Sequence, residues 1–302
     1  MSYVLTLVAS PENPDVTQGL ISTISEIIEI HKISYTCAPV WLRPLRAVDL
    51  GLSDKLPAEV FAGIRQLAKP DRIDVFMTEI DHRQKKLLVA DMDATIVEGE
   101  TLDELAEYAG LREKIALITQ EAMEGKLDFA SALRERVGLL KGMHQDALQH
   151  TLDKTRLNQG AQALVATMKK NGATCVLVSG GFNFFTRAIA KQAGFDINHG
   201  NELDVERNEL TGKVKEPILD KQAKVDFMKQ YTHHLSLKEH QTMAIGDGAN
   251  DIPMLRIAGL GIGYRPKPMV AEQIQNLVLY GDLTAALYAQ GYTDQHIIDP
   301  TK

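Results

Sequence analysis

A chain of 302 residues is long enough for two ordinary domains at about 150 residues each. Its 44% apolar and 24% charged residues suit a packed globular protein and exclude disorder or a collagen-like fibre. Forty acidic residues against 33 basic ones give a net charge of -7, and no half of the chain is basic enough to hold a nucleic acid backbone through counterion release.

Two cysteines, Cys37 and Cys175, form neither a disulfide framework nor the paired spacing of a zinc site. No stretch approaches the roughly 20 apolar residues that cross a bilayer. The first basic residue is Lys32, so no charged region precedes the short apolar run that opens the chain. These features predict a protein of the reducing cytoplasm that handles a dissolved small molecule, with no nucleic acid or membrane partner.

In chain order, the first elements predicted are a strand over Tyr3 to Ala9, an amphipathic helix over Val16 to Ile30, and a strand over Ile33 to Trp41. A helix over Pro57 to Ala68 and a strand over Arg72 to Ile80 follow. In that last strand Ile73, Val75 and Met77 alternate with Asp74, Phe76 and Thr78, the period of a half-buried strand. Six of the eleven prolines lie between Pro11 and Pro70, and the next is Pro217, so a boundary near residue 80 is expected. Residues 1–80 then form a small α+β domain, and the polar run Asp81 to Lys86 forms a linker.

Beyond it, short apolar runs recur between helical stretches: Leu87 to Ala90, Ala173 to Val178, Thr242 to Ile245 and Leu260 to Ile262. Such runs suit strands buried on both faces of a parallel sheet, so residues 81–302 are expected to form a Rossmann-like three-layer α/β domain. A proline-free helical region at about 101–155 is too long for a loop and reads as an inserted cap. Asn201 to Val214 alternates around Arg207-Asn208-Glu209 and predicts a hairpin.

Each of the first three runs ends in a polar cluster: Asp91-Met92-Asp93-Ala94-Thr95, Ser179-Gly180-Gly181-Phe182 and Gly246-Asp247-Gly248-Ala249-Asn250-Asp251. Ligands of open α/β sheets sit beyond the carboxyl ends of strands, so the three clusters should converge on one crevice. There one aspartate of the first cluster can act as a nucleophile and its neighbour as acid and base. Asp247 and Asp251 add oxygen ligands suited to Mg²⁺ rather than zinc. Ser179, the Gly180 and Gly181 amides and Lys224 supply donors for a phosphate. A dinucleotide fingerprint fails, because the third glycine after Gly246 and Gly248 would fall on Asp251.

From about Leu87 to Leu283 these clusters resemble the haloacid-dehalogenase superfamily of phosphotransferases, and within it the phosphoserine phosphatase family. The resemblance implies that Asp91 attacks phosphorus and that Asp93 protonates the leaving oxygen and later deprotonates water. It implies Mg²⁺ held by Asp91, Asp247 and the Asp93 main-chain carbonyl, with Asp251 and Asn250 in support, and a phosphate held by Ser179 and Lys224. In the cap, Glu100 matches the family position that meets the substrate's ammonium group, and Arg136 the one that binds its carboxylate. Met123 and Phe129, in the string Glu121 to Phe129, match the apolar wall. Met92 and Ala94 depart from the residues common in the family.

The implied activity is hydrolysis of phosphoserine, the last step of serine synthesis. A phosphotransferase or phosphatase acting on another small phosphoester, such as phosphohomoserine or phosphothreonine, remains as an alternative, as does a non-catalytic sensor. The first 80 residues are similar in element order to ACT-type modules but carry no specific ligand motif, so an amino-acid effector, a homodimer contact and neither of these all stand as readings of that unit.

Overall fold

The computed structural model describes residues 2–13, 15–123 and 127–300, and of residues 120–123 the backbone alone. Its first part is β1 (Tyr3–Ala9), α1 (Gln18–Ile30), β2 (Val40–Arg43), β3 (Ala47–Leu52), α2 (Ala58–Ala68) and β4 (Ile73–Glu79). The strands form an antiparallel sheet in the order β2-β3-β1-β4. Helix α1 starts where the Thr17 hydroxyl accepts the Leu20 N–H at 3.1 Å, satisfying one of the orphan donors of the first turn. Its buried stripe of Leu20, Ile21, Ile24 and Ile28 packs with Leu5, Leu7, Val75 and Met77 on one face of the sheet. Each such side chain contributes about 1.5–3 kcal/mol of burial.

Two expectations for this region fail. Of the strand expected over Ile33 to Trp41, residues 33–39 carry only an isolated bridge from Tyr35 to Leu52, and the chain pairs later, from Val40. Pro39 has no N–H for a ladder, and a turn with Leu45 at φ 62° closes a hairpin onto β3, which the sequence reading missed. The missed strand carries Asp49 and Gly51, residues poor in strand propensity, yet all six of its residues are buried. Nor is β4 half-buried. Its second face is covered too, with Asp74 at 1%, Phe76 at 0% and Thr78 at 8% exposure.

The cover is the rest of the molecule. It runs through β5 (Leu87–Ala90), α3 (Thr101–Tyr108), α4 (Arg112–Met123), α5 (Phe129–Gly138), α6 (Asp146–Lys154), α7 (Ala161–Lys170), β6 (Thr174–Phe182) and α8 (Asn183–Ala193). It continues through β7 (Ile197–Glu206), β8 (Glu209–Lys215), α9 (Lys221–His234), β9 (Thr242–Gly246), α10 (Ile252–Ile257), β10 (Leu260–Tyr264), α11 (Pro268–Gln273), β11 (Asn276–Val278) and α12 (Ala285–Ala289). Seven strands lie in the order β11-β10-β9-β5-β6-β7-β8, all parallel except β8.

Strand β5 is central and wholly buried. Leu88 and Ala90 face a core shared with α7, α8 and α12, while Leu87 and Val89 face one shared with α9, α10 and α11. This is the three-layer α/β arrangement expected, with helices on both faces of a parallel sheet. Helices α3 to α6 form the inserted helical stretch, and Leu105, Leu133, Val137 and Leu148 join the first of those cores. The β7–β8 turn puts Arg207 and Asn208 at φ 51° and 67°, the left-handed pair that a tight hairpin demands.

Polar groups stitch the two sheets together. The Asp74 carboxylate accepts N–H bonds from Leu279, Tyr280 and Gly281 at 2.7, 3.1 and 2.8 Å. The Asn276 amide bonds the Met77 main chain at both ends. Arg83, in the segment expected to be a plain linker, donates to Asp49 from two nitrogens, at 2.5 and 2.8 Å, and to the Thr6 hydroxyl. Arg46 donates to Asp282 and Thr284. No helix among the described residues is long and apolar enough to cross a membrane.

Candidate active site

The carboxyl ends of β5, β6 and β9 open on one crevice, a cavity of about 420 Å³ lined by Asp91, Asp93, Ser179, Asp247 and residues of the helical insertion. Parallel registration of β5 with both neighbours places the three loops side by side, so the convergence follows from topology alone.

Lys224, in the first turn of α9, lies at the bottom of the cluster. Its Nζ stands 2.6 Å from Asp91 Oδ1 and 2.6 Å from Asp251 Oδ1, with the lysine side chain 2% exposed. Burial works against its charge, but Asp251 and Asp91 outweigh that and hold its pKa above the usual lysine range. The second Asp251 oxygen accepts the Gly248 N–H at 3.0 Å, so both its oxygens are engaged in holding other groups. Room for this comes from Gly246, where a Cβ would fall 2.4 Å from the Asp251 carboxyl carbon.

Asp91 Oδ1 also accepts the Met92 N–H at 2.8 Å. The loop then turns sharply: the Ala94 N–H donates to Gly99 O at 2.7 Å with Ala94 at φ 51°. A left-handed non-glycine residue beside the cluster stores about 1–3 kcal/mol, tolerated because the surrounding hydrogen bonds impose it. Asn158, whose amide donates to the Thr95 and Val97 carbonyls at 2.9 and 3.0 Å, is one of those constraints.

Asp93 is held on both oxygens. Oδ1 accepts from the Thr101 N–H at 2.8 Å and hydroxyl at 2.7 Å, at the N-terminal end of α3, and Oδ2 accepts from the Ser179 hydroxyl at 2.9 Å. Ser179 Oγ accepts the Gly181 N–H in turn, at 2.8 Å. The serine expected at a phosphate thus donates to the second aspartate in this structure.

One carboxylate oxygen each from Asp91, Asp247 and Asp251 lie within 4.8 Å of one another, all buried. Burial, then Asp251 and Asp247, push the Asp91 pKa well above the carboxylate range despite Lys224. Burial and Asp251 raise Asp247 likewise, against Lys267. The cluster holds more negative charge than its lysines balance. A hard divalent cation with oxygen ligands fits that deficit.

Of the residues expected in the insertion, Glu100 lies immediately before α3 and Arg136 on α5, both lining the cavity. Burial lowers the Arg136 pKa, opposed by Asp103 and Glu100. The Phe129 ring sits against the bare backbone of Gly180, where a Cβ would come within 3.0 Å of its Cζ. Asn250 lines the mouth, exposed. The Met123 side chain lies outside the described residues.

Lys267 was missed. Its Nζ lies 3.2 Å from Glu100 Oε1 and 3.2 Å from Asp247 Oδ2. It follows β10, the fourth apolar run, and the rule that placed the other loops at strand ends would have reached it. Asn201 was missed as well; its amide bonds the carbonyls of Gly180 and Leu219 and accepts the Leu219 N–H, fixing the glycine loop.

Comparison with known proteins agrees with this geometry. Residues 88–256 match the haloacid dehalogenase-like hydrolase family. A phosphoserine phosphatase from Archaeoglobus fulgidus is 38% identical over 227 residues, 74% of this chain; the chain spans 65% of that relative's length. One from Streptococcus thermophilus is 42% identical over 199 residues, 66% of this chain and 93% of the relative. The unliganded crystal structure of a probable phosphoserine phosphatase from Vibrio cholerae superposes with a TM-score of 0.76 at 26% identity, covering 98% of this chain and 88% of the other. The chain belongs to the haloacid dehalogenase-like hydrolase family.

Proposed function

We propose that the chain is a Mg²⁺-dependent phosphomonoester hydrolase that converts O-phosphoserine to serine and phosphate through an aspartyl-phosphate on Asp91. The observation that carries this reading is the division of labour between two neighbouring aspartates. Asp91 is fixed against Lys224 at the bottom of the crevice, and Asp93 is fixed by Thr101 and Ser179 at its side.

Both contacts of Asp91 fall on Oδ1, which leaves Oδ2 as the oxygen for attack on phosphorus. As the Oδ2–P bond forms and the P–O bond to the seryl oxygen breaks, Asp93 delivers its proton to that oxygen. Asp93, now a carboxylate, takes a proton from the water that attacks phosphorus, and the P–O bond to Asp91 breaks. Lys224 balances charge beside the transferred group, and the Gly180 amide offers it a donor, joined by the Ser179 hydroxyl and the Gly181 amide when the phosphoryl oxygens replace their present acceptors, Asp93 and Ser179. Asp91 and Asp247, with the Asp93 carbonyl, would hold Mg²⁺, and Asp251 would support them through Lys224 and Gly248. Bound there, the ion would draw charge from the phosphoryl oxygens and favour the ionised form of Asp91.

Glu100 and Arg136 offer opposite charges to a small zwitterion, and arginine can grip a carboxylate bidentately. The name shared by the relatives from A. fulgidus and S. thermophilus supports phosphoserine as that zwitterion. Residues 81–302, with the cap at about 101–155, form the hydrolase unit in this reading, and residues 1–80 an ACT-like unit docked against it.

Phosphate release from a panel of small phosphoesters, with and without Mg²⁺, tests the assignment. Phosphoserine should be preferred and chelation should abolish turnover. Arg136→Ala should raise KM for phosphoserine about tenfold or more, and far less for an ester lacking the carboxylate. Absence of phosphoserine hydrolysis alongside efficient use of another ester would remove the substrate.

A further inference from the structure

Lys267 holds two carboxylates that the proposed reaction needs for other cations. Glu100 is the group assigned to the substrate's ammonium, and Asp247 a group assigned to the metal. The lysine bridges them at 3.2 Å each. Its main chain is anchored to the same loop, because its N–H donates to Asp247 O at 2.9 Å. Pro266 and Pro268 flank it and restrict the backbone, since each ring fixes its own φ. The segment is therefore fixed while the side chain, 57% exposed, is free to swing away from its partners. The pair with Glu100, itself 45% exposed, is weak and readily exchanged, and the pair with Asp247 is open to solvent on the lysine side although that carboxylate is 6% exposed, in contrast to the pairs of Lys224, buried on both sides.

We propose that Lys267 is a stand-in cation. It neutralises Glu100 and Asp247 while the crevice holds neither ligand and is displaced from Asp247 by the divalent ion and from Glu100 by the substrate's ammonium. It acts as a positioning and specificity residue, competing with both ligands and preventing the empty crevice from being forced open by its own carboxylates. The Glu100 half rests on the zwitterionic substrate proposed above. The Asp247 half needs only a divalent ion at the aspartate cluster.

Titration of the substrate-free protein with Mn²⁺, followed by electron paramagnetic resonance, reads the Asp247 half without turnover. Lys267→Met should tighten Mn²⁺ binding about threefold to tenfold by removing a competing charge, and Lys267→Arg should leave it near the wild-type value. Unchanged or weaker binding in Lys267→Met overturns the proposal. For the Glu100 half, the ratio of kcat/KM for phosphoserine to that for its 2-hydroxy analogue, which lacks the ammonium, should rise in Lys267→Met. A constant ratio overturns that half. A wild-type protein that ignores phosphoserine would remove the substrate reading while leaving the Mn²⁺ result to stand or fall separately.

Discussion

At the junction of the two sheets, Asp49 and Asp282 each have a guanidinium of their own, from Arg83 and Arg46, and the third buried carboxylate, Asp74, is met by three main-chain N–H groups. In the crevice, three buried aspartates share one buried lysine, and the half-exposed Lys267 supplies the rest. The first arrangement answers each carboxylate with groups of the protein itself. The second has its carboxylate pKa values driven upward by burial and by neighbouring aspartates, which is the condition of a site that completes itself with a ligand. Burial alone does not mark function; imbalance of charge within the buried set does.

The largest effect should follow Asp91→Asn. Loss of the proposed nucleophile should cut phosphate release by about four orders of magnitude, while the melting temperature of the metal-free protein rises because a repelling charge is gone. A lower melting temperature, by calorimetry in chelator, would break the contrast with the junction. Arg83→Met should have the opposite character. It leaves Asp49 buried without its guanidinium and should cost about 3–5 kcal/mol in urea unfolding, with turnover per folded molecule unchanged. The double variant with Asp49→Leu should recover most of the loss.

A smaller, pH-dependent effect belongs to Asp74, whose charge is met by three N–H groups rather than by a paired cation. Burial raises its pKa from 3.8 to about 6, against those three donors. The folded state therefore holds the proton more tightly than the unfolded chain. The resulting stability is full below about pH 4 and is lost as pH rises through about 6, to the extent of about 3 kcal/mol. Urea midpoints of wild type and Asp74→Asn from pH 4 to 7 should diverge by that slope, and parallel curves would refute it.

The part of the chain that carries the seven-stranded sheet was the more legible in the sequence. Strands buried on both faces write themselves as uninterrupted apolar runs, and the polar residues just after them can belong only to the strand ends. Those signals located Asp91, Ser179 and Asp247 and put them in one crevice. The first 80 residues were harder to read, because their sheet is covered on one side by its own helices and on the other by the hydrolase. Asp49, Asp74 and Thr6 look like solvent-facing residues of alternating strands, and their partners lie far along the chain, at Arg83 and in residues 279–281. Lys267 was within reach of the same strand-end rule, just past β10, but as a residue it looks like a solvated lysine before a proline.

The turn between α5 and α6 is sewn to the β7–β8 hairpin. Gly142 donates to Leu210 O, Leu210 donates to Met143 O and Gln145 donates to Asn208 O, each at 2.8 Å, and Arg134 pairs with Glu216 nearby. A wholesale lift of the helical insertion would break every one of these at once. Any opening that preserves them must pivot about the hairpin, as a page turns on its spine.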